Sequence, residues 1–333
     1  MVFVTGGTGL VGSFLLRALR ARGVAVRALH RGPVPAGAAP GVEWLAGDLL
    51  DTDLLRAALT PDVTHVFHCA GLVSYAPQDV NLLQQINVEG TAAVVDACLD
   101  RPGIRLAHVS SVAALGGPGP PSAAAGGPRA VTEAATWDLG AAHPAYAASK
   151  YLGELEVWRG AAEGLSTVIV NPSVVLGPGD WHRSSTRLLR YAHEQHRFYT
   201  QGLLNFVDVR DVAAQLLALA LDQPTVRDQR FILSAGALPL AEFFRQAAAA
   251  LGRRPPTVAV PDWAAEAIWR FEHVRAVLTG ARPLITRDTA RAGRRPVEYV
   301  STRVQHTTGL AFRPLADTIA WCAAALANPA ATA

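Results

Sequence analysis

A doubly wound α/β fold, with a parallel sheet and a smaller, mostly helical C-terminal lobe, is predicted from three observations. Residues 1–5 read as a buried strand that runs directly into Gly6-Gly7-Thr8-Gly9-Leu10-Val11-Gly12, then a helix to about Arg22 and a second strand over 24–29. Apolar strands and helices keep alternating to about residue 221. Beyond that point helices dominate, with one short strand at 231–233.

In the first unit Leu10, Phe14, Leu15 and Leu19 form one apolar stripe, and Gly23 ends the helix. Gly6 permits the tight turn, Gly9 lets backbone approach a pyrophosphate, and Gly12 lets helix and strand pack closely. The unpaired amides of the first helical turn, at Leu10 and Val11, face the phosphates. This is a dinucleotide site of Rossmann type. The end of the second strand selects the cofactor: an acid there would hold the ribose hydroxyl of NAD, a cation the 2′-phosphate of NADP. The chain has His30-Arg31, with Arg27 earlier and no acid nearby. Arg31 therefore points to NADP, with a solvated loop arginine, and NAD, as the alternative.

The third strand, 42–46, ends in Gly47-Asp48-Leu49, and Asp51 or Thr52 caps the next helix. The fourth, 63–68, closes on Cys69-Ala70-Gly71, residues small enough for a cofactor to lie across the sheet edge. His68 and Cys69 have no further ligands at metal spacing, so no metal site is expected. The fifth strand, 104–109, runs into Ser110-Ser111, and the glycine-, proline- and alanine-rich stretch 116–130 is a surface loop or a lid.

Pro144 opens a helix to about Glu163 that carries Tyr146 and Lys150 on one face. Among 30 basic residues Lys150 is the single lysine. A compact ammonium differs from a guanidinium in reaching a phenol and a ribose together. A phenol ordinarily titrates near ~10, and a cation beside it favours the phenolate. The pair is therefore expected to exchange a proton with an alcohol or carbonyl oxygen. A sixth strand, 166–170, leads into Asn171-Pro172-Ser173. A helix starting near Asp211 returns the chain to the main domain, and the last helix covers 315–326. Trp181-His182 is either pocket lining or lobe core. Trp263, Ile268, Trp269 and Phe271, on a helix over 263–278, make an aromatic stripe read as core or as a wall of the substrate site. The expected division is 1–170 plus about 205–228 for the cofactor domain, and 171–204 plus 229–333 for the substrate lobe.

Composition narrows the function. Half the chain is hydrophobic and 17% is charged, enough for a sizeable core. Net charge +3 reflects scattered arginine, with no dense basic run beyond Arg253-Arg254 and Arg294-Arg295, which argues against a nucleic-acid partner. Three widely spaced cysteines without a Cys-x-x-Cys pair argue against a disulfide framework and suit a reducing cytoplasm. A strand starting at Val2 leaves no room for a signal segment, and the apolar runs are too short for a bilayer.

Thr5-Gly6-x-x-Gly9-x-x-Gly12 and the order of motifs behind it resemble the extended short-chain dehydrogenase/reductase family, within the NAD-dependent epimerase/dehydratase superfamily. The resemblance covers nearly the whole chain and is densest over 2–213. It implies that Arg31 meets the NADP phosphate and that Asp48 and Leu49 touch the adenine. It also carries over Cys69, Ala70, Gly71, Pro172 and Ser173 as cofactor-binding. Asn87, in Asn87-Val88-Glu89-Gly90-Thr91, would hold backbone and strand ends near the site. Ser111, counted back from Gly116, would position the reacting oxygen. Tyr146 would exchange its proton, and Lys150 would lower the phenol's pKa while holding the nicotinamide ribose. Sugar-nucleotide members tend to carry Arg-x-x-Asn-x-x-Gly-Pro where this chain has Asn171 and Val174. They also tend to carry a tyrosine in place of Leu115 and an arginine near Leu204-Asn205. These departures point to a more apolar pocket, similar to dihydroflavonol 4-reductase and cinnamoyl-CoA reductase. An NADP-dependent oxidoreductase interconverting carbonyl and alcohol is therefore expected, with a small-molecule substrate, no nucleic-acid or membrane partner, and a homodimer paired through the Tyr146 helix. A nucleotide-sugar epimerase or dehydratase, and a non-catalytic NAD(P)-sensing module, are the alternatives.

Overall fold

The fold is given by a computed structural model that describes residues 1–116, 128–181, 184–279 and 296–328. The chain begins β1 (Val2–Thr5), α1 (Leu10–Ala21), β2 (Val26–His30), β3 (Glu43–Ala46), α2 (Thr52–Ala58) and β4 (His65–His68). Then come α3 (Val80–Gln84), α4 (Gly90–Leu99), β5 (Arg105–Val109), β6 (Arg129–Val131), α5 (Ala145–Ala162) and β7 (Ser166–Pro172). After these follow β8 (Val174–Leu176), α6 (Arg187–His193), β9 (Phe198–Thr200), β10 (Leu203–Asp208), α7 (Val209–Leu217) and β11 (Gln229–Leu233). The last elements are β12 (Gly236–Pro239), α8 (Leu240–Ala250), β13 (Val258–Val260), α9 (Asp262–Thr279), β14 (Val297–Tyr299), α10 (Thr302–Thr308) and α11 (Leu315–Ala327).

The main sheet has seven parallel strands in the order β11-β7-β5-β4-β1-β2-β3. Strand order reverses at β1, so the glycine turn after β1 lies at the switch point, where such sheets bind ligands. Alternation along the strands sorts the core onto two faces. Val2 and Val4 pack with Leu15, Leu19, Val212 and Leu216 of α1 and α7. Phe3 faces the other way, with Leu55, Val94, Leu106 and Val157 of α2, α4, β5 and α5.

The expected domain division needs two corrections. Gln229–Leu233 was placed in the substrate lobe, but β11 pairs with β7 as an edge of the main sheet. Residues 205–208 were placed in the cofactor domain, but β10 pairs with β8 and β12 in a separate three-stranded sheet. The lobe also holds a strand pair not read from the sequence, β13 with β9, and β14 reaches out of it to pair with β6. Its core joins Leu176, Leu189, Phe206, Phe243, Phe244 and Ile319, with Trp181 packed against them, which settles Trp181 as lobe core. Trp263 departs from the core reading, being 75% exposed. His182, the Phe271 side chain, Arg294-Arg295 and 117–127 of the candidate lid lie outside the described residues.

His68 and His108 are register partners on β4 and β5, fully buried, with ring centroids 5.0 Å apart. Burial pushes His68 down to about 3 and His108 well below its ordinary value, with the Lys150 charge adding to both shifts. Both rings are neutral in the fold, whereas in the unfolded chain they titrate near ~6.5. Above that pH they leave stability unchanged; below it the unfolded chain takes up protons that the fold refuses. Each should cost roughly 1 kcal/mol between pH 6.5 and 5.5. Urea denaturation at those two pH values should show the loss, and His108→Leu should reduce the pH slope; an unaltered slope would contradict it.

Candidate active site

Gly6 adopts φ +71°, and a Cβ there would run into the backbone of Cys69 and Ala70 at the end of β4. A Cβ on Gly12 would overlap the Gly6 carbonyl. Gly9 is the N-cap of α1 and has no side-chain cap, and Ser13 N–H is the amide that closes onto Gly9 O, at 2.9 Å. The amides of Leu10, Val11 and Gly12 precede that bond and end the helix with free donors. Their side chains serve packing: Val11 joins the core and Leu10 lies against Gly179 of the lobe. The turn, the close approach and the bare helix end fit a dinucleotide pyrophosphate.

At the adenine end Arg31 follows β2 with its side chain 70% exposed, 3.7 Å from the Asp48 carboxylate. Arg27 is not available to a phosphate, because it donates to Glu43, Ala58 O and Thr60. Asp48 also accepts from Leu50 N–H at 3.0 Å, so it shapes its own turn, and Asp51 rather than Thr52 caps α2, accepting from Leu54 N–H. Leu49 packs where a Cβ on Gly90 would stand.

At the other end Tyr146 and Lys150 are both buried on the inner face of α5, as the four-residue spacing requires. Ser111 stands beside the Tyr146 phenol, close enough to oppose the rise that burial causes in its pKa. Lys150 Nζ donates to Val109 O at 3.0 Å and lies on the open side of Gly71. Asn87 sits in a π turn, Gln85–Glu89, that precedes α4. Its side chain accepts from Leu72 N–H at 2.7 Å and donates to Leu72 O at 2.9 Å and to Ser149 Oγ at 2.9 Å. Ser149 in turn donates to Tyr146 O. Gly153 makes room for this turn, since a Cβ there would overlap Asn87 O. Asn87 thus ties the strand-end loop to the tyrosine helix. Pro172 ends β7, and the Ser173 hydroxyl beyond it is buried with no hydrogen-bond partner among the described residues, as is Asn171 Oδ1.

One electrostatic expectation is corrected. Lys150 was expected to lower the pKa of Tyr146, yet burial raises it, and Ser111 is the influence that opposes the rise. Taking the phenolate out of water is the largest influence on it. The amine itself is pushed down to about 8 by burial, against the raising effect of Glu154 and Cys69. Burial also raises the Cys69 thiol to about 12, which leaves it protonated and inert.

Sequence reasoning missed several residues. Tyr75 meets the Tyr146 ring edge-on at 5.5 Å, although the loop bearing it has no periodicity that would mark it. Glu154 and Asn171 are buried polar partners at the site. The positions where sugar-nucleotide members carry polar contacts are filled by packing. Leu115 is buried with Val131 and Ile232, and Leu204 is in the lobe core. Asn205 is used up on Val297 O and Tyr299 N–H. No group that could hold a metal ion occurs among the described residues, and none of their helices is long and apolar enough to cross a membrane.

Residues 2–233 match the profile of the NAD-dependent epimerase/dehydratase family, and the chain belongs to that family. It is 34% identical over 335 residues to a protein of Synechocystis sp. named "Putative dihydroflavonol 4-reductase", covering 96% of this chain and 93% of that one. Cinnamoyl-CoA reductase 1 of Oryza sativa is 29% identical, over 79% of each chain. The crystal structure of gox2253 superposes with a TM-score of 0.81 at 30% identity, covering 99% of this chain and 98% of that one. The chain is an NAD(P)-dependent oxidoreductase with the parallel sheet of that family.

Proposed function

We propose that this protein uses NADP to interconvert a ketone or aldehyde with the corresponding alcohol, through Ser111, Tyr146 and Lys150. The observation that carries the reading is the buried face of α5, where Tyr146 and Lys150 stand one turn apart with Ser111 beside the phenol. The nicotinamide supplies or accepts the hydride. The chain's own work is to hold and move a proton. Ser111 positions the substrate oxygen, and Tyr146 Oη gives it a proton on reduction or takes one on oxidation. The raised pKa keeps the phenol protonated at neutral pH, which suits it to the reducing direction. Lys150 holds a positive charge beside the phenol and is placed to donate to a ribose hydroxyl. The leucines at 115 and 204 favour an apolar substrate over a sugar diphosphate. The reductases named among its relatives are consistent with that choice.

Arg31 is the residue proposed to select NADP. A charge-assisted bond to the 2′-phosphate, at about 1.5–3 kcal/mol, makes Arg31→Ala expected to weaken NADP binding by about 10- to 100-fold. NAD binding should hold within about three-fold on the same reasoning. Calorimetric titration of both cofactors checks this, and an equal loss for both would remove Arg31 from the selection. The function itself is tested with a panel of ketones and aldehydes, following NADPH at the nicotinamide absorbance. Failure across the panel, with cofactor bound, would contradict the proposal.

A further inference from the structure

Glu154 stands one helical turn beyond Lys150, so Tyr146, Lys150 and Glu154 succeed one another along the buried face of α5. It is 2% exposed, yet it is surrounded by donors. Its Oε2 accepts from Ser110 Oγ and from Asn171 Nδ2, each at 2.7 Å. Its Oε1 accepts from Trp158 Nε1 at 3.3 Å and from Arg230 Nη1 at 3.2 Å. Asn171 Nδ2 also donates to Ser111 O at 3.0 Å. Arg230 continues outward to the carbonyls of Glu133 and Ala135, and Glu133 accepts from Ile232 N–H. One carboxylate therefore ties the helix of Tyr146 and Lys150 to the ends of β5 and β7, and through Arg230 to β11.

We propose that Glu154 is a positioning residue for the Tyr146–Lys150 pair: it fixes Ser110 and Ser111 against α5 and, by its charge, keeps Lys150 an ammonium. This rests on the Ser111–Tyr146–Lys150 reading above. The carboxylate is paired with Arg230 on one side, and on the other it shares the buried face of α5 with Lys150, one turn away. Of the other groups facing Lys150, Tyr146 shares its helix, Cys69 follows β4, His68 lies on β4 and His108 on β5. The phenol and thiol are protonated and both imidazoles neutral at working pH, given the directions in which burial moves them. Glu154 is left as the anion acting on the amine, against the burial that holds it near about 8. Arg230 is ion-paired to the same carboxylate at 3.2 Å, and a cation there would oppose a second one at Lys150. A cavity of about 290 Å³ beside Glu154, Trp158 and Arg230 gives a replaced side chain access to water.

Because Lys150 is the single lysine, lysine labelled with ¹³C at the ε-carbon yields one side-chain resonance, whose titration reads its pKa without turnover. In Glu154→Gln the midpoint should fall by about one pH unit. In Arg230→Gln, which removes the opposing cation, it should rise. Glu154→Asp should restore the wild-type midpoint, and the alkaline limb of the kcat–pH profile should move with the titration in each variant. A folded Glu154→Gln protein with an unshifted midpoint, or both variants shifting the same way, would overturn the proposal. Should Glu154→Gln fail to fold, Arg230→Gln decides alone: an upward shift supports the role and no shift overturns it. Absence of carbonyl turnover in the wild-type protein would instead sink the reductase reading, and the titration would stand apart from it.

Discussion

Tyr146→Phe is expected to lower kcat by about 10³-fold while leaving NADP affinity within about three-fold, the pattern of a lost proton donor. The ring stays: it is buried and meets Tyr75 edge-on, and phenylalanine keeps both contacts. Only the hydroxyl that stands beside Ser111 is removed. A developing alkoxide would then face Ser111, whose hydroxyl can donate a hydrogen bond but is too weak an acid to give up its proton. Steady-state turnover with NADPH and calorimetric titration of the variant check both halves. Turnover within ten-fold of wild type would take Tyr146 out of the proton step, whatever the cofactor does.

Gly12→Ala is expected to damage both the fold and cofactor binding. The added Cβ would meet the carbonyl of Gly6 and the Cα of Gly7, all backbone, with no flexible side chain to swing aside. Either α1 moves off β1 or the glycine turn opens, and overpacking of this kind costs about 1–3 kcal/mol. The same shift withdraws the amides of Leu10 and Val11 from the pyrophosphate, so NADP and NAD affinity should both fall by about 100-fold. Gly23→Ala is the control. It has nothing within 4 Å of a new Cβ and φ +71°, so it should cost about 1 kcal/mol of stability and no cofactor affinity. Equal effects of the two substitutions on binding would contradict the cradle.

The first half of the fold is legible because its signals are local. A strand, a glycine turn and an apolar helix stripe within thirty residues leave few other arrangements, and Tyr146 with Lys150 follows from helical spacing alone. Short strands carry less. The four to six residues of β10, β11 and β12 read as apolar runs, but nothing in them says which sheet they join, since pairing depends on partners far along the chain. Glu154 was overlooked for a related reason. Among Tyr151, Glu156 and Arg159 it reads as another polar helix residue, and its partners at Ser110, Asn171 and Arg230 appear only once the strands are assembled. The sign of the Tyr146 shift was also out of reach. Spacing places a cation near the phenol, but the depth of burial decides which influence prevails.

The most direct measurement follows the hydride and the proton together. A ketone is reduced with NADPH carrying deuterium at nicotinamide C4, and the same protein is offered a nucleotide sugar. Deuterium on the carbinol carbon of the alcohol, one NADPH consumed per turnover, and loss of both in Tyr146→Phe are the expected results. Turnover of the nucleotide sugar with no net change in the cofactor, and none of the ketone, would contradict them.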